Sequence, residues 1–345
     1  MTTDKNNAGI LELPKVVFGT SGLGNLYTAL PQNIKKEIVE ACINHSDGVV
    51  VFDSAGKYGA GLALESLGKC LNELGVNRDK IMISNKLGWF RTPLTTPEPT
   101  FEKGVWVDLE YDAVQKISYD GIIQCFEQGN ELLGGYVPAM VSVHDPDEYL
   151  AGAASADDER KRYNDILEAY RALADLKMSG KATSIGVGAK DWRIVSRIVN
   201  DVKLDWVMIA NSMTIKSHPV ELLKFIAKLE SEHIPVIKSA VFHSGFLTGG
   251  SFYDYKLVEQ TNPEHDALFK WRRDFFQLCS AYNIKPAAAC VQFALKVPGV
   301  KSVALNTTDP NRVKQNIDMA HIAIPEGFWI EAVEQGLIDN YMVIA

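Results

Sequence analysis

Eight short apolar segments, each followed by a longer amphipathic one, constrain the fold of this chain more than any other feature of its sequence. The short segments are four to six residues long, rich in β-branched residues and apolar almost throughout. This pattern favours parallel strands that are buried on both faces. The predicted strands are Lys15–Gly19, Gly48–Asp53, Ile81–Lys86, Ala139–His144, Thr183–Gly188, Trp206–Asn211, Pro235–Ser239 and Ser302–Leu305.

Helical periodicity, with apolar residues at steps of three and four, fills most of the gaps between these strands. The predicted helices are Gln32–Asn44, Ala63–Leu74, Tyr111–Leu133, Asp158–Ser179, Trp192–Val199, Val220–Glu232, Asp266–Tyr282 and Asn311–Asp318, with two more near Pro286–Val297 and Gly327–Gly336. A doubly wound sheet uses the same alternation with fewer strands, so the count favours a (β/α)8 TIM barrel. No Pro-, Gly- or Ser-rich linker divides the chain, and we therefore expect one α/β domain over residues 1–345.

Three longer connections follow the third, fourth and seventh predicted strands. They cover about Gly88–Glu110, Asp145–Asp158 and Phe246–Pro263. In a barrel of this type the connections at the carboxyl ends of the strands build the active site. We therefore expect functional residues at this end of the barrel.

Composition and charge limit the kinds of molecule that the protein can bind and the cell compartment in which it is expected. The formal net charge of −8 disfavours nucleic acid and anionic membranes as partners, because both need a basic surface. The first fifteen residues lack the apolar core of a secretory signal, and no stretch approaches the ~20 apolar residues of a membrane span. The five cysteines are scattered and never in a C-x-x-C arrangement, which predicts reduced, buried thiols and a cytoplasmic protein.

Four chemically complementary side chains lie at or just after the ends of three successive predicted strands. The segment VVVFDSAGKYG places Asp53 at a strand end and Tyr58 five residues later. Lys86 ends the next strand, in SNKLGW, and His144 ends the one after, in SVHDPD. Each residue alone has a structural explanation such as a turn cap or loop packing, but their combination favours a catalytic site.

Proton transfer is the chemistry that this combination suits. A tyrosine hydroxyl ordinarily loses its proton only near pH ~10, and a neighbouring lysine ammonium favours the phenolate. A buried lysine needs a counterion, which Asp53 can supply. His144 can donate a hydrogen bond to a substrate oxygen and take part in proton relay.

These residues resemble the catalytic tetrad of the aldo-keto reductase superfamily. The tetrad motifs match in order and approximate spacing, and VVFGTSGLG, HSGFLTGG and DPNRVKQNI are further matches, so that the resemblance runs from about Leu13 to Asp318. It implies a (β/α)8 barrel that binds NAD or NADP in extended form without a Rossmann domain. It also implies catalytic roles for Asp53, Tyr58, Lys86 and His144, and no metal.

The resemblance further implies a set of cofactor contacts, some of which depart from the common pattern of the family. The implied contacts are Thr20, Ser21, Asn211, Ser239, Phe242, Asn306, Arg312 and Asn316. Gly188 and Ala189 stand where many members have a Ser-Asn pair that holds the nicotinamide carboxamide. Asn211 replaces a glutamine. Ser239 replaces an aromatic residue that stacks on the nicotinamide, and Phe242 would have to take over that stacking.

The residues implied for the adenosine-phosphate end of the site favour one nicotinamide cofactor over the other. Arg312 and Asn316 match the R-x3-N of the family. Asn306, however, replaces a basic residue that binds the 2′-phosphate in NADPH-preferring members. Losing one cation weakens charge pairing with that dianion, so the sequence leans toward NAD.

Within the family, the segments FDSAGKYG, VHDPD and GVGAKDW look most like the aldose 1-dehydrogenases, which act on L-fucose, D-threo-aldoses or L-galactose. The resemblance implies oxidation of the anomeric hydroxyl of an aldose to a lactone, with Tyr58 as the acid/base. Substrate contacts are then expected from His144, from Trp89 and Phe90 as a flat apolar face, and more weakly from Tyr27.

Two other functions remain open at this point, and a third is discounted. The first is an NADPH-dependent aldehyde or ketone reductase or a pyridoxal-type dehydrogenase, because the chemistry is reversible. The second is a non-catalytic regulatory subunit that binds the cofactor, against which the intact tetrad argues. A metal-dependent hydrolase is discounted, since no H-x-H or H-x-x-x-H spacing occurs among the seven histidines. The sequence also leaves open whether the chain forms a homo-oligomer.

Overall fold

A computed structural model describes residues 11–254 and 256–340 of the chain. Its strands are β1 (Val16–Gly19), β2 (Val50–Ala55), β3 (Ile81–Leu87), β4 (Trp89–Pro93), β5 (Tyr111–Gln115), β6 (Met140–His144), β7 (Ser184–Ala189), β8 (Trp206–Ala210), β9 (Val236–Ser239), β10 (Phe252–Tyr253), β11 (Lys256–Leu257) and β12 (Val300–Leu305). Strands β1, β2, β3, β6, β7, β8, β9 and β12 close, in that order, into a parallel barrel. The predicted (β/α)8 fold is confirmed, and every predicted strand is present within two residues of its expected bounds.

Helices surround the barrel and connect its strands. They are α1 (Gln32–Asn44), α2 (Leu62–Glu73), α3 (Tyr119–Leu132), α4 (Pro146–Ala151), α5 (Ala156–Met178), α6 (Trp192–Asp201), α7 (Val220–Ser231), α8 (Asp266–Ala281), α9 (Pro286–Lys296), α10 (Arg312–Met319) and α11 (Glu326–Glu334). No helix within the described ranges is both long and apolar enough to cross a bilayer.

One predicted helix, Tyr111–Leu133, begins too early in the sequence. Its first residues instead form β5, which pairs antiparallel with β4. The helix α3 starts only after Ser118, whose hydroxyl accepts a hydrogen bond from the Gly121 amide and so caps the first turn. Pairing with β4, which lies inside the connection predicted at Gly88–Glu110, overrides the local helical pattern.

The other two long connections also contain secondary structure. The connection after β6 contains the short helix α4, and the one after β9 contains the small antiparallel ribbon of β10 and β11. All of these pieces lie at the carboxyl ends of the barrel strands. The barrel mouth is therefore walled by structured loops.

An apolar plug fills the barrel below this mouth. Its members are Val17, Val51, Met140, Trp206, Met208 and Ile237. The indole of Trp206 lies so close to β7 that a Cβ on Gly186 would come within 2.3 Å of it, which explains the glycine there. Because the plug closes the lower barrel, polar side chains one or two residues further along the strands lie at the floor of the mouth.

The five cysteines are buried and free, as predicted. Burial raises the pKa of the Cys125 thiol to about 11 and that of Cys279 to about 12. Both thiols are therefore protonated and unreactive at neutral pH.

Candidate active site

A large cavity opens at the barrel mouth, and the four side chains predicted to be catalytic all line it. They are Asp53, Tyr58, Lys86 and His144. The cavity measures about 1280 Å³. Ordinary small-molecule pockets measure roughly 300–1,000 Å³, so this one has room for part of a dinucleotide together with a substrate.

Asp53 and Lys86 form a buried ion pair at the floor of the cavity. The register of β2 and β3 brings the two side chains together, and the Lys86 ammonium contacts Oδ2 of Asp53. The hydroxyl of Ser84 donates to the other carboxylate oxygen at 3.0 Å. The carboxylate thus holds the ammonium in one position, as a buried lysine requires.

Tyr58 lies close to both that ammonium and His144. Its ring centroid is 4.8 Å from Nζ of Lys86 and 5.5 Å from the His144 ring, which it meets edge-on. The turn carrying Tyr58 packs directly on the loop after β1, where a Cβ on Gly59 would come within 2.2 Å of the Gly24 carbonyl oxygen. This close packing fixes where the tyrosine enters the cavity.

His144 is uncharged at neutral pH. Burial, followed by the charges of Lys86 and Lys57, lowers the pKa of its imidazole well below the usual value. Its Nδ1 has no hydrogen-bond partner among the described residues, and its Nε2 is 3.6 Å from Oδ2 of Asp145, beyond hydrogen-bond distance. A neutral imidazole so placed has one N–H to offer a substrate oxygen.

The structure explains why residue 188 is a glycine, where many family members have the serine of a Ser-Asn pair. A Cβ at this position would come within 2.8 Å of Cδ of Lys86. The lysine side chain therefore runs across the glycine on its way to Asp53. Glycine at 188 leaves room for the lysine, and the side-chain contact that serine makes elsewhere is absent here.

Five of the predicted cofactor residues line the cavity. They are Ser21, Asn211, Ser239, Phe242 and Asn306. Oδ1 of Asn211 is buried and has no partner within the described part of the chain, and the residue adopts a left-handed backbone (φ 58°). An orphaned amide oxygen beside the floor of the cavity fits the carboxamide of a nicotinamide, so the residues present fit the implied cofactor.

The other three predicted cofactor residues do not line the cavity, and their contacts with a cofactor stay predictions. Thr20 is buried, and its amide and hydroxyl both donate to the carbonyl oxygen of Asp53. Arg312 and Asn316 lie on α10, outside the wall, and the Arg312 guanidinium is 3.7 Å from the Asp309 carboxylate. A sequence motif gives the order of such residues along the chain but not their distance from the cavity in the folded protein.

On the substrate side, the structure does not bring the predicted aromatic platform into the cavity. Neither Trp89 nor Phe90 is among the described residues that line the cavity. Trp89 packs on Phe101 at a centroid distance of 5.7 Å, and Phe90 lies beneath the ammonium of Lys116. The third predicted contact, Tyr27, does line the cavity.

Among the lining residues that the sequence reasoning missed, three carry large or charged side chains that project from separate segments. They are Trp106, Lys57 and Lys256, from the β4–β5 connection, the turn before Tyr58 and strand β11. Trp106 and Lys57 come from irregular segments and Lys256 from a strand of only two residues, and in such segments no periodicity indicates which way a side chain points. Only the adjacency of Lys57 to Tyr58 gave a usable signal.

The surroundings of Lys57 are the most highly charged part of the wall. Its ammonium contacts the carboxylates of Glu102, Asp145 and Glu148 at 2.8 to 3.0 Å. These carboxylates converge on an ammonium, and no group of three or more His, Cys, Asp or Glu side chains in the described ranges is arranged to hold a metal ion.

Comparison with known families and proteins agrees with this geometry. The model of the aldo/keto reductase family matches residues 15–333. The chain belongs to the aldo/keto reductase family. It is therefore an oxidoreductase of the aldo/keto reductase type, a family whose members bind NAD(P).

Individual aldo/keto reductases resemble the chain over nearly its whole length. It is 26% identical to pyridoxal 4-dehydrogenase from Microbacterium luteolum, covering 93% of both chains, and 25% identical to D-threo-aldose 1-dehydrogenase from a Pseudomonas species, covering 95% of both. Among solved structures, the holo form of an aldo-keto reductase from Bacillus halodurans superposes with a TM-score of 0.67 at 15% identity, covering 94% of this chain and 92% of that one. Glycerol dehydrogenase from Gluconobacter oxydans gives 0.67 at 17% identity, with 93% and 90% covered. These two structures support the barrel fold.

Proposed function

We propose that this chain is an NAD(P)-dependent dehydrogenase that oxidises the anomeric carbon of an aldose to the lactone, with Tyr58 as the general base. The observation that carries the proposal is the position of Tyr58 close to both the Lys86 ammonium and the His144 imidazole at the cavity floor. The two curated relatives are both named as dehydrogenases, one of them of an aldose.

In this proposal, each tetrad residue has a separate role in removing the proton of the anomeric hydroxyl. Tyr58 takes the proton of the anomeric hydroxyl, and the Lys86 ammonium, held by Asp53, stabilises the phenolate that precedes this transfer. Neutral His144 donates its N–H to the sugar oxygen and so orients it over Tyr58. A bound nicotinamide ring would accept the hydride from the same carbon.

The cofactor side of the cavity supports the placement of that ring. Asn211 offers its unpartnered Oδ1 to the carboxamide, and Ser239 and Phe242 lie on the same wall. Near the adenosine end, the hydroxyl of Ser21 accepts a hydrogen bond from the Asn306 amide at 2.8 Å. Arg312 already faces the carboxylate of Asp309, which weakens its attraction for a 2′-phosphate and supports NAD as the preferred cofactor.

The decisive experiment is a spectrophotometric screen of NAD and NADP reduction with a panel of aldoses, L-fucose included, at mildly alkaline pH. We expect sugar-dependent cofactor reduction that Tyr58→Phe nearly abolishes. Tyr149→Phe is the matched control, because it removes a hydroxyl that bonds Asp165 outside the cavity. Wild-type rates in Tyr58→Phe would contradict the mechanism, and failure with every aldose would contradict the substrate class.

Pyridoxal is the second candidate substrate. The chain is 26% identical to pyridoxal 4-dehydrogenase, slightly more than to the aldose enzyme. The same tetrad serves this oxidation, because pyridoxal also forms a cyclic hemiacetal whose hydroxyl can lose a proton to Tyr58. Including pyridoxal in the panel decides between the two by the ratio of kcat/KM values.

A further inference from the structure

Trp106 forms the wall of the cavity directly beside the catalytic tyrosine. Its ring centroid is 5.8 Å from that of Tyr58, and the two planes are inclined by 35°. The residue is only 7% exposed, and it lines the cavity. A substrate whose reacting carbon lies at Tyr58 would therefore lie against the indole.

Two sets of contacts hold Trp106 in this position. Its backbone forms an isolated antiparallel bridge with Leu26, which fixes the segment against the loop after β1. Its indole N–H donates to Oε2 of Glu102 at 2.7 Å. The first contact fixes the backbone and the second fixes the orientation of the ring.

Glu102 in turn depends on Lys57. Its other carboxylate oxygen lies 2.8 Å from the Lys57 ammonium, and Glu102 keeps a left-handed backbone (φ 42°) that is unfavourable for a residue with a side chain. Two strong side-chain contacts can maintain such a conformation. Without Lys57, only the indole N–H of Trp106 would oppose rotation of the carboxylate into water.

Lys57 is also bonded to the loop that follows His144. Its ammonium contacts Asp145 and Glu148 at 3.0 Å each, and its side chain is 4% exposed. Burial by itself lowers the pKa of the Lys57 ammonium, but Asp145, Glu102 and Glu148 outweigh burial and raise that pKa above its usual range. One permanently charged group therefore joins the loop carrying Trp106 to the loop that follows His144.

We propose that Trp106 is the specificity-determining wall of the substrate site, and that Lys57, acting through Glu102, is the positioning residue that holds it beside Tyr58. The flat indole would receive the apolar face of an uncharged sugar ring, while the carboxylates around Lys57 accept hydrogen bonds from its hydroxyls. The identity of the ring as a sugar rests on the proposed function; the role of the wall does not.

The first test removes the ring and then only its N–H. With L-fucose as substrate, Trp106→Ala is expected to lower kcat/KM more than tenfold, mainly through KM, and Trp106→Phe less than threefold. With glyceraldehyde, which reacts without a ring and is assayed in the reductive direction, both variants should stay within threefold of wild type. Equal losses with the two substrates, or a loss confined to kcat, would overturn the assignment of Trp106.

The second test asks whether Lys57 acts through Glu102 and Trp106. Lys57→Met and Glu102→Gln should each raise KM for L-fucose about tenfold with the dissociation constant of the cofactor unchanged. Combining either with Trp106→Ala should add no further loss, since they disturb one unit. Additive losses in the double variants, or a weakened cofactor, would show that Lys57 acts elsewhere. Lys57→Arg keeps the charge and should restore most of the affinity, even if Lys57→Met folds poorly.

A further control and a further substrate separate the two proposals. Lys270→Met removes a lysine from an exposed pair with Asp274 on α8 and should leave all constants unchanged. If the wild-type protein oxidises no aldose, the proposed function fails, and the wall is judged from the same variants with pyridoxal against glyceraldehyde. A selective loss with the ring substrate supports it there too, and an unselective loss overturns it.

Discussion

Replacing Lys238 by methionine is expected to stabilise the protein, most strongly at neutral pH and below. Lys238 lies in β9 and is fully buried, and its ammonium has no hydrogen-bond partner among the described residues. Its neighbours on the strand, Ile237 and Ser239, face the barrel plug and the cavity, so Lys238 points outward into the apolar layer under the helices. Methionine has nearly the same length and no charge.

The magnitude follows from linkage between protonation and folding. Burial lowers the pKa of Lys238 from 10.5 to about 7. The native state therefore binds fewer protons than the unfolded state between pH 7 and 10.5, and wild-type stability rises with pH across this window. At about 1.4 kcal/mol per pKa unit, the cost of keeping the lysine is about 5 kcal/mol at pH 7 and about 2 kcal/mol at pH 9.

Urea unfolding at several pH values measures this directly. The free energy of unfolding of Lys238→Met should exceed that of wild type by an amount that shrinks by about 1.4 kcal/mol per pH unit above neutrality. The exposed variant Lys270→Met should show no such dependence. A gain that is the same at pH 7 and pH 9 would mean that packing causes it, and a loss of stability would mean that the ammonium has a partner; either would refute the reasoning.

Four further predictions concern the site and the thiols. Asp53→Asn leaves Lys86 buried without its carboxylate and should cost about 3–5 kcal/mol in urea unfolding as well as the activity. Gly188→Ala should lower kcat about tenfold with little change in cofactor affinity, because its Cβ would displace Lys86. The pKa of His144 lies well below its usual value. The titration of this imidazole should therefore cause no inflection near pH 6.5 in the pH profile of kcat for aldehyde reduction. The profiles of wild type and of His144→Gln should have the same shape in that region. The five buried cysteines should react with a thiol reagent only after denaturant is added.

The sequence was sufficient for the barrel because its signals there are local and repeated. Each barrel strand is a short run of apolar residues, and each is followed by a segment with helical periodicity, so that eight strands could be counted without knowing how they pair. The prediction failed at Tyr111–Gln115, where pairing with β4 outweighs local preference. Such pairing is a tertiary contact between segments that are distant in the sequence.

The catalytic constellation was predictable for a related reason. Asp53, Lys86 and His144 lie at the ends of strands that are neighbours both in sequence and in the barrel, so the topology alone brings them together. Their catalytic roles stay predictions until the variants are measured. Residues on irregular loops were less predictable: Trp106 lines the cavity and was not expected there, whereas Trp89 was expected there and does not line it.

By itself, then, the sequence determined the barrel, the end of it that carries the site and the four side chains at the floor of that site, because these follow from strand periodicity and strand order. Only the tertiary structure decided which aromatic ring stands beside Tyr58 and which carboxylates surround Lys57. These depend on how loops from different strands pack at the mouth, where a single left-handed residue or ion pair redirects a side chain, and no local sequence pattern encodes that packing.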